Sequence, residues 1–167
     1  IGSQDPNKLV NGSGIEKLRS SGCNVSVGVM DKECDKLNKR FFTYHKLKRP
    51  FIILKWAETK DGFISPTKSV NTLKKVNWIS GEDAKKVSHR WRSEEHSILV
   101  GVQTIIDDDP VLTTRFVKGR SPIRLVLDPN SRIPIDSRIL SDTVKTIILS
   151  KRENRLRKNT QTLSHRR

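Results

Sequence analysis

The hydrophobic pattern predicts alternating strands and helices in the second half of the chain. Four apolar runs have the length of a buried strand and end at turn-forming or polar residues: 51–57, 97–101, 123–128 and 145–150. Ser80 is expected to cap a helix that continues to about Glu95. Apolar residues at helical spacing support this helix: Ala84, Val87 and Trp91. A short helical turn is expected at 101–107. This order of elements predicts an α/β sheet with parallel members.

The first 50 residues have a weaker pattern. Turn-forming residues at 5–7 and 11–14 predict an irregular start, followed by a short helix at about 15–20. Alternation over 24–29 predicts a strand, and helical spacing over 31–45 predicts a helix. Pro50 biases its predecessor away from helix, so a boundary is expected there.

Charge is distributed unevenly along the chain. Of 167 residues, 34% are apolar and 31% are charged, and the formal net charge is +15. Residues 151–167 alone hold seven Lys or Arg and one acidic residue. Such a charge run favours a disordered, solvated tail, with a nucleic-acid-binding arm as the alternative.

The composition also excludes several protein classes. No apolar run approaches the roughly 18 residues of a membrane helix, and the N-terminus lacks a signal-peptide pattern, so we expect a soluble, cytoplasmic protein with no membrane partner. Cys23 and Cys34 are too few for a disulfide framework and are expected to be reduced thiols. No glycine-rich phosphate loop occurs, and without a Gly-x-Ser-x-Gly motif acyl-transfer chemistry has no support. No His-Glu-x-x-His motif occurs and neither cysteine has a partner at metal-ligand spacing, so no metal site is expected.

Polar side chains near the predicted strands are the candidates for chemistry, since α/β proteins bind ligands at strand ends. Lys55 interrupts an apolar run, and either reaches solvent at a sheet edge or meets an anionic partner. The carboxylates of 107–109 are a solvated turn, or one of them accepts from a ligand or pairs with Lys55. Arg92 and Arg115 are surface charges or a phosphate clamp. Trp78 is a core residue or a flat wall for a planar ring.

Together these residues carry a resemblance to a known family. The chain resembles the bifunctional riboflavin-biosynthesis deaminase-reductases from about residue 4 to about residue 150. The similar segments follow in the family's order: 50–57 (PFIILKWA), 61–62, 78–80, 89–94 (HRWRSE), 98–101, Thr104, 108–110, 112–113, Arg115 and 122–128 (PIRLVLD).

The resemblance implies a dihydrofolate-reductase-like α/β fold, with a mostly parallel sheet and flanking helices. It implies NADPH-dependent reduction of the ribose of 5-amino-6-(5-phosphoribosylamino)uracil, a small phosphorylated pyrimidine. By motif position, the cofactor would contact Ala57, Trp78, Thr104 and Asp108. Arg92, Leu112 and Arg115 would hold the substrate, with both arginines on its phosphate. Lys55 and Asp108 would be the catalytic pair.

The resemblance also implies a division of this chain into three segments, with some differences from the family. Residues 1–48 would be the end of a cytidine-deaminase-like domain with its connector, 49–150 the first part of the reductase domain, and 151–167 the basic tail. The zinc-binding motif of the deaminase half is absent, so neither zinc nor deamination is expected. We expect a C-terminally truncated reductase domain, and whether it is active is left open. A basic module that binds nucleic acid or anionic surfaces through its tail is the alternative function, and homo-oligomer formation is left open.

Overall fold

The computed structural model describes residues 1–64, 79–151 and 160–164. The chain forms two compact units, Ile1–Lys55 and Trp56–Arg167. The boundary between these units lies seven residues after the one predicted at 48. The first unit holds three short helices: α1 (Ser13–Ser20), α2 (Asp31–Leu37) and α3 (Lys39–Leu47).

Two local predictions for the first unit are wrong. The predicted helix at 31–45 is divided at Asn38, where both the backbone N–H and the side-chain amide donate to the carbonyl of Cys34. An asparagine side chain that bonds the backbone competes with helix continuation. Residues 24–29 form no strand. Their contacts with the N-terminus are single backbone bonds, such as Gly28 N–H to the carbonyl of Ile1, which do not make a ladder.

The apolar run at 51–57 does not form the predicted buried strand. Ile52 and Leu54 are 59% and 77% exposed. A strand requires ladder hydrogen bonds to a neighbour, and no strand in the described part of the chain pairs with this run. Apolar composition predicts where a strand is favourable but does not supply the partner.

The second unit is built on a parallel sheet. Its elements follow in the order α4 (Glu82–Glu94), β1 (Ser97–Gly101), α5 (Val102–Asp108), β2 (Ile123–Leu127), a 3₁₀ turn (Arg138–Leu140), β3 (Thr146–Ser150) and β4 (Thr160–Ser164). Among the described residues the strand order is β1-β2-β3-β4, and every pairing is parallel. The predicted strands at 97–101, 123–128 and 145–150 and the helices beside them are therefore confirmed. Gly81, rather than Ser80, is the N-cap of α4.

The last strand lies inside the predicted basic tail. Residues 160–164 pair with β3 in parallel register, for example Thr160 with Thr146. The prediction of a disordered tail is therefore wrong for these five residues. The sequence TQTLS has no charge and two β-branched threonines, which favour a strand, whereas the tail's charge is concentrated at 151–158. Residues 152–159 and 165–167 lie outside the described part.

One face of the sheet packs on the core. On β2 the alternation of a strand places Arg124 and Val126 on the same buried face, each with no exposed surface, and Asp128 follows on that face just after the strand. The apolar core contains Val102, Ile105, Leu112, Val126, Ile133, Ile139, Leu140 and Ile148. Polar residues therefore lie at both ends of an apolar centre.

The buried carboxylate of Asp128 closes the turn after β2. Its Oδ1 and Oδ2 accept the backbone N–H groups of Arg132 and Ile133, each at 2.9 Å. We expect Asp128→Asn to lower the free energy of unfolding by about 2 kcal/mol, because an amide NH₂ would then face a buried backbone donor. Urea unfolding measures this loss. Asp136→Asn, at an exposed carboxylate, is the control, and equal stability of the two variants would contradict the expectation.

Candidate functional site

The loop that joins α5 to β2 contains a strained residue held from both sides. Leu112 has φ +58° although it is not glycine, a conformation that costs on the order of 1 kcal/mol or more. The carbonyl before it, on Val111, accepts from Arg124 Nη1 at 2.9 Å. The carbonyl after it, on Thr113, accepts from Arg92 Nη1 at 3.2 Å. Two arginines thus fix the backbone around Leu112.

The buried anchor of this loop is the guanidinium of Arg124. Nη1 and Nη2 form a two-pronged ion pair with Asp142, at 3.0 and 2.7 Å. Nη2 also donates to the carbonyl of Val144, and Nε donates to Thr146 Oγ1. All three guanidinium nitrogens therefore have partners, as a fully buried charge requires.

Arg92 and Arg115 approach Thr113 from two sides. Arg92, on α4, bonds the Thr113 carbonyl, and Arg115 Nη1 donates to Thr113 Oγ1 at 2.9 Å. Arg92 is half-buried, whereas Arg115 is exposed. The structure therefore brings together two of the predicted substrate residues, which are 23 positions apart in the sequence.

In the part of the chain that the structure describes, no carboxylate neutralises the charges of these two arginines. Within the described residues, neither guanidinium forms an ion pair with a carboxylate. Partial burial lowers the pKa of Arg92, and the nearby charge of Arg115 lowers it further. The hydrogen bonds of the described part use only Nη1 of each guanidinium and leave Nε and Nη2 for a ligand. Such a pair forms a positive site that suits an anion.

His89 lies beneath the two arginines. It is only 4% exposed, and its ring meets Phe116 edge to face. Nδ1 accepts the backbone N–H of Arg115 at 2.9 Å, and Nε2 is 3.3 Å from Arg92 Nη1. Burial, followed by the charges of Arg92 and Arg115, lowers the pKa of His89 to about 4. The imidazole is therefore neutral at neutral pH.

Thr104 and Asp108, two predicted cofactor residues, lie four positions apart on α5 and share one face of that helix. Thr104 is half-buried and Asp108 is exposed. Partial desolvation, followed by the neighbouring charge of Asp107, raises the pKa of Asp108. The pair offers a hydroxyl and a carboxyl group to a ligand.

The remaining predicted site residues differ in their location and exposure. The side chain of Leu112 is buried in the core. Ala57 is half-buried in the second unit, and Lys55 is exposed in the first. Trp78 lies outside the described residues. The catalytic pair of Lys55 and Asp108 stays a prediction.

The described ranges contain neither a metal-binding cluster nor a membrane-spanning helix. They contain no group of three or more His, Cys, Asp or Glu side chains that could hold a metal ion. No helix in these ranges is long and apolar enough to cross a membrane.

Sequence reasoning missed the residues that support the arginine pair: His89, Thr113 and Arg124. A signal for Arg124 was available, because it alternates with Val126 and Asp128 on one face of a predicted strand. His89 stands three positions before Arg92, the spacing of neighbours on one helix face, so its proximity to Arg92 could have been inferred. No sequence signal places His89 against Arg115.

Known proteins are similar to most of this chain. The "Riboflavin biosynthesis protein RibD" of Aquifex aeolicus is 42% identical over 156 residues, which are 92% of this chain and 42% of that protein. The RibD of Actinobacillus pleuropneumoniae is 39% identical over 140 residues, 84% of this chain and 36% of that protein. The chain thus spans about two fifths of the length of these relatives.

Solved structures give the same result. A diaminohydroxyphosphoribosylaminopyrimidine deaminase/5-amino-6-(5-phosphoribosylamino)uracil reductase from Thermotoga maritima is 34% identical, with a TM-score of 0.84 over 97% of this chain and 45% of that one. RibD of Acinetobacter baumannii is 25% identical, with a TM-score of 0.79 over 98% of this chain and 47% of that one. The family model "RibD C-terminal domain" matches residues 50–164, which include β4. The chain therefore belongs to the RibD C-terminal domain family.

Proposed function

We propose that this chain carries part of an NADPH-dependent reductase of riboflavin biosynthesis. The proposed substrate is 5-amino-6-(5-phosphoribosylamino)uracil, whose ribose would be reduced to a ribityl chain. The family match and the reductase named in the Thermotoga structure support the reaction class. No deaminase activity is proposed for these residues.

The arginine pair is the observation that carries the proposal. A sugar phosphate is a dianion, and two guanidinium groups that have no carboxylate partner among the described residues provide donors that match its oxygens. Thr113 holds both arginines, one through its carbonyl and one through its hydroxyl, so the site is arranged before a ligand arrives. Such preorganisation lowers the entropic cost of binding.

Two described side chains on α5 carry polar groups of the kind that bind a nicotinamide nucleotide. The Thr104 hydroxyl and the Asp108 carboxyl are groups that bond ribose hydroxyls or a carboxamide, and they share one face of α5. The raised pKa of Asp108 favours its protonated form more than an ordinary aspartate does. When bound, the nucleotide would supply the hydride. The chain's residues would orient the substrate by its phosphate and position the sugar for reduction.

Lys55 is proposed to supply the proton during reduction. We expect Lys55→Met to lower turnover by about a hundredfold or more, the usual range for a lost general acid, with NADPH binding unchanged. The assay follows NADPH absorbance with the proposed substrate, and NADPH affinity is measured separately by fluorescence. Lys60→Met, at another exposed lysine, is the matched control.

The outcomes of this assay separate the parts of the proposal. Equal turnover of the Lys55 and Lys60 variants would reject the role of Lys55. No turnover by the unmodified chain, with saturable NADPH binding, would reject reductase activity for this chain and leave nucleotide binding. Salt-dependent binding of random DNA, without NADPH binding, would favour the basic-module alternative.

A further inference from the structure

His89 joins the two elements that carry the arginine pair. It belongs to α4, as Arg92 does, and its Nδ1 accepts the backbone N–H of Arg115 on the loop at 2.9 Å. Across 26 positions of sequence, this bond ties the backbone of Arg115 directly to the helix. The only other described bond of Arg115 runs from its side chain to Thr113 Oγ1 on the same loop.

The bond to Arg115 fixes the protonation of the imidazole. A backbone N–H can only donate, so Nδ1 must be the unprotonated nitrogen. The neutral ring then carries its proton on Nε2, which faces Arg92 Nη1 at 3.3 Å. A guanidinium can also only donate. The contact between His89 Nε2–H and Arg92 Nη1 therefore brings two donors together and is not a hydrogen bond.

The charged groups that bear on the His89 ring are Arg92, on its own helix, and Arg115, on the loop. Both oppose a positive imidazole. A protonated ring would place a donor on Nδ1 against the Arg115 N–H and would add a third positive charge. The site is therefore built for a neutral histidine.

We propose that His89 is a positioning residue of the anion site, which holds the Arg115 backbone on its unprotonated Nδ1 and so sets the spacing of Arg115 from Arg92. The inference rests on the proposed function, because it assumes that the two arginines bind a phosphate. His89 itself need not touch the ligand, since it is almost completely buried.

Two variants separate the acceptor from the bulk of the ring. His89→Asn keeps an acceptor, Oδ1, close to the position of Nδ1, whereas His89→Leu removes it and retains an apolar side chain. The probe is ribose 5-phosphate, with ribose as the unphosphorylated comparison, and binding to the whole chain is measured by calorimetry. We expect His89→Leu to weaken ribose 5-phosphate binding about tenfold and to speed amide exchange at Arg115. His89→Asn should restore most of both.

A measurement on the unmodified chain covers the case in which His89→Leu fails to fold. Nitrogen-15 NMR of the imidazole reports which nitrogen carries the proton, and we expect it on Nε2. His96→Leu, at an exposed histidine outside the site, is the matched control and should bind as the unmodified chain does.

Each outcome bears on one part of the inference. A proton on Nδ1, or unchanged affinity and unchanged Arg115 exchange in a folded His89→Leu variant, would overturn the role of His89 while the phosphate site stands. If the unmodified chain binds ribose 5-phosphate no better than ribose, the proposed function has failed, and the inference falls with it. Loss in His89→Leu with rescue in His89→Asn would support it.

Discussion

Replacing Arg124 with methionine is expected to lower the free energy of unfolding by about 3–5 kcal/mol, the largest stability effect predicted for a single residue of this chain. The side chain is fully buried and forms an ion pair with Asp142. Its removal leaves the Val111 and Val144 carbonyls without the Arg124 donors, and leaves the Asp142 carboxylate with only the backbone N–H of Val144 among its described donors. An apolar side chain of similar length fills the space but cannot satisfy these acceptors.

Urea unfolding of the Arg124→Met variant measures this loss, and two further variants define its cause. Arg138→Met changes an exposed arginine and should cost little. Arg124→Lys keeps the charge but has a single nitrogen for acceptors that lie in several directions, so an intermediate loss is expected. If Arg124→Met were as stable as Arg138→Met, the buried guanidinium of Arg124 would not be the anchor of this region.

The loss of Arg124 should also change the geometry of the anion site, which is formed by Arg92 and Arg115. Its Nη1 holds the carbonyl of Val111, next to the strained Leu112, and Thr113 follows immediately. Without that bond, Leu112 can relax to an ordinary conformation and displace Thr113 from the two arginines. Arg124 therefore connects the stability of the sheet with the geometry of the loop.

The largest effect on binding is expected from the arginine pair itself. We predict that Arg92→Met and Arg115→Met each weaken ribose 5-phosphate binding by about tenfold to a hundredfold, the range for losing hydrogen bonds to a charged group. The affinity for unphosphorylated ribose should not change. Calorimetric titration of both ligands provides the comparison.

A matched control for this prediction lies on the same helix. Arg90 is exposed on α4, and its side chain takes part in none of the described hydrogen bonds. Arg90→Met removes the same charge and should leave ribose 5-phosphate affinity within about twofold, because exposed charges contribute little at a distance. Equal weakening in all three variants would mean that net charge, rather than this pair, attracts the phosphate.

The parts of the fold that depend on local sequence were predictable. The runs at 97–101, 123–128 and 145–150 are apolar, have strand length and are bounded by turn residues, and all three became neighbours in one sheet. The run at 51–57 has the same local character but no strand beside it among the described residues. Strand formation depends on a partner, and a single sequence gives no information about that partner.

The sequence predicted which arginines form the candidate site, but not the residues that hold them in place. The arginines could be proposed because guanidinium groups suit phosphates, and the structure brings them together at Thr113. Arg124 was assigned no role, because charged residues are rarely buried without a partner and Asp142 lies 18 positions away. Leu112 was predicted to hold substrate, which stays a prediction, and the sequence did not indicate that its side chain packs in the core. Tertiary contacts decide each of these cases.

The central claim is that Arg92 and Arg115 together hold the phosphate of the ligand. NMR of the arginine side-chain Nε–H groups during titration with ribose 5-phosphate tests it most directly. We expect the resonances of Arg92 and Arg115 to shift together and saturate at one concentration, while those of Arg90 and Arg138 stay in place. Shifts confined to other arginines, or equal shifts with ribose alone, would contradict the account.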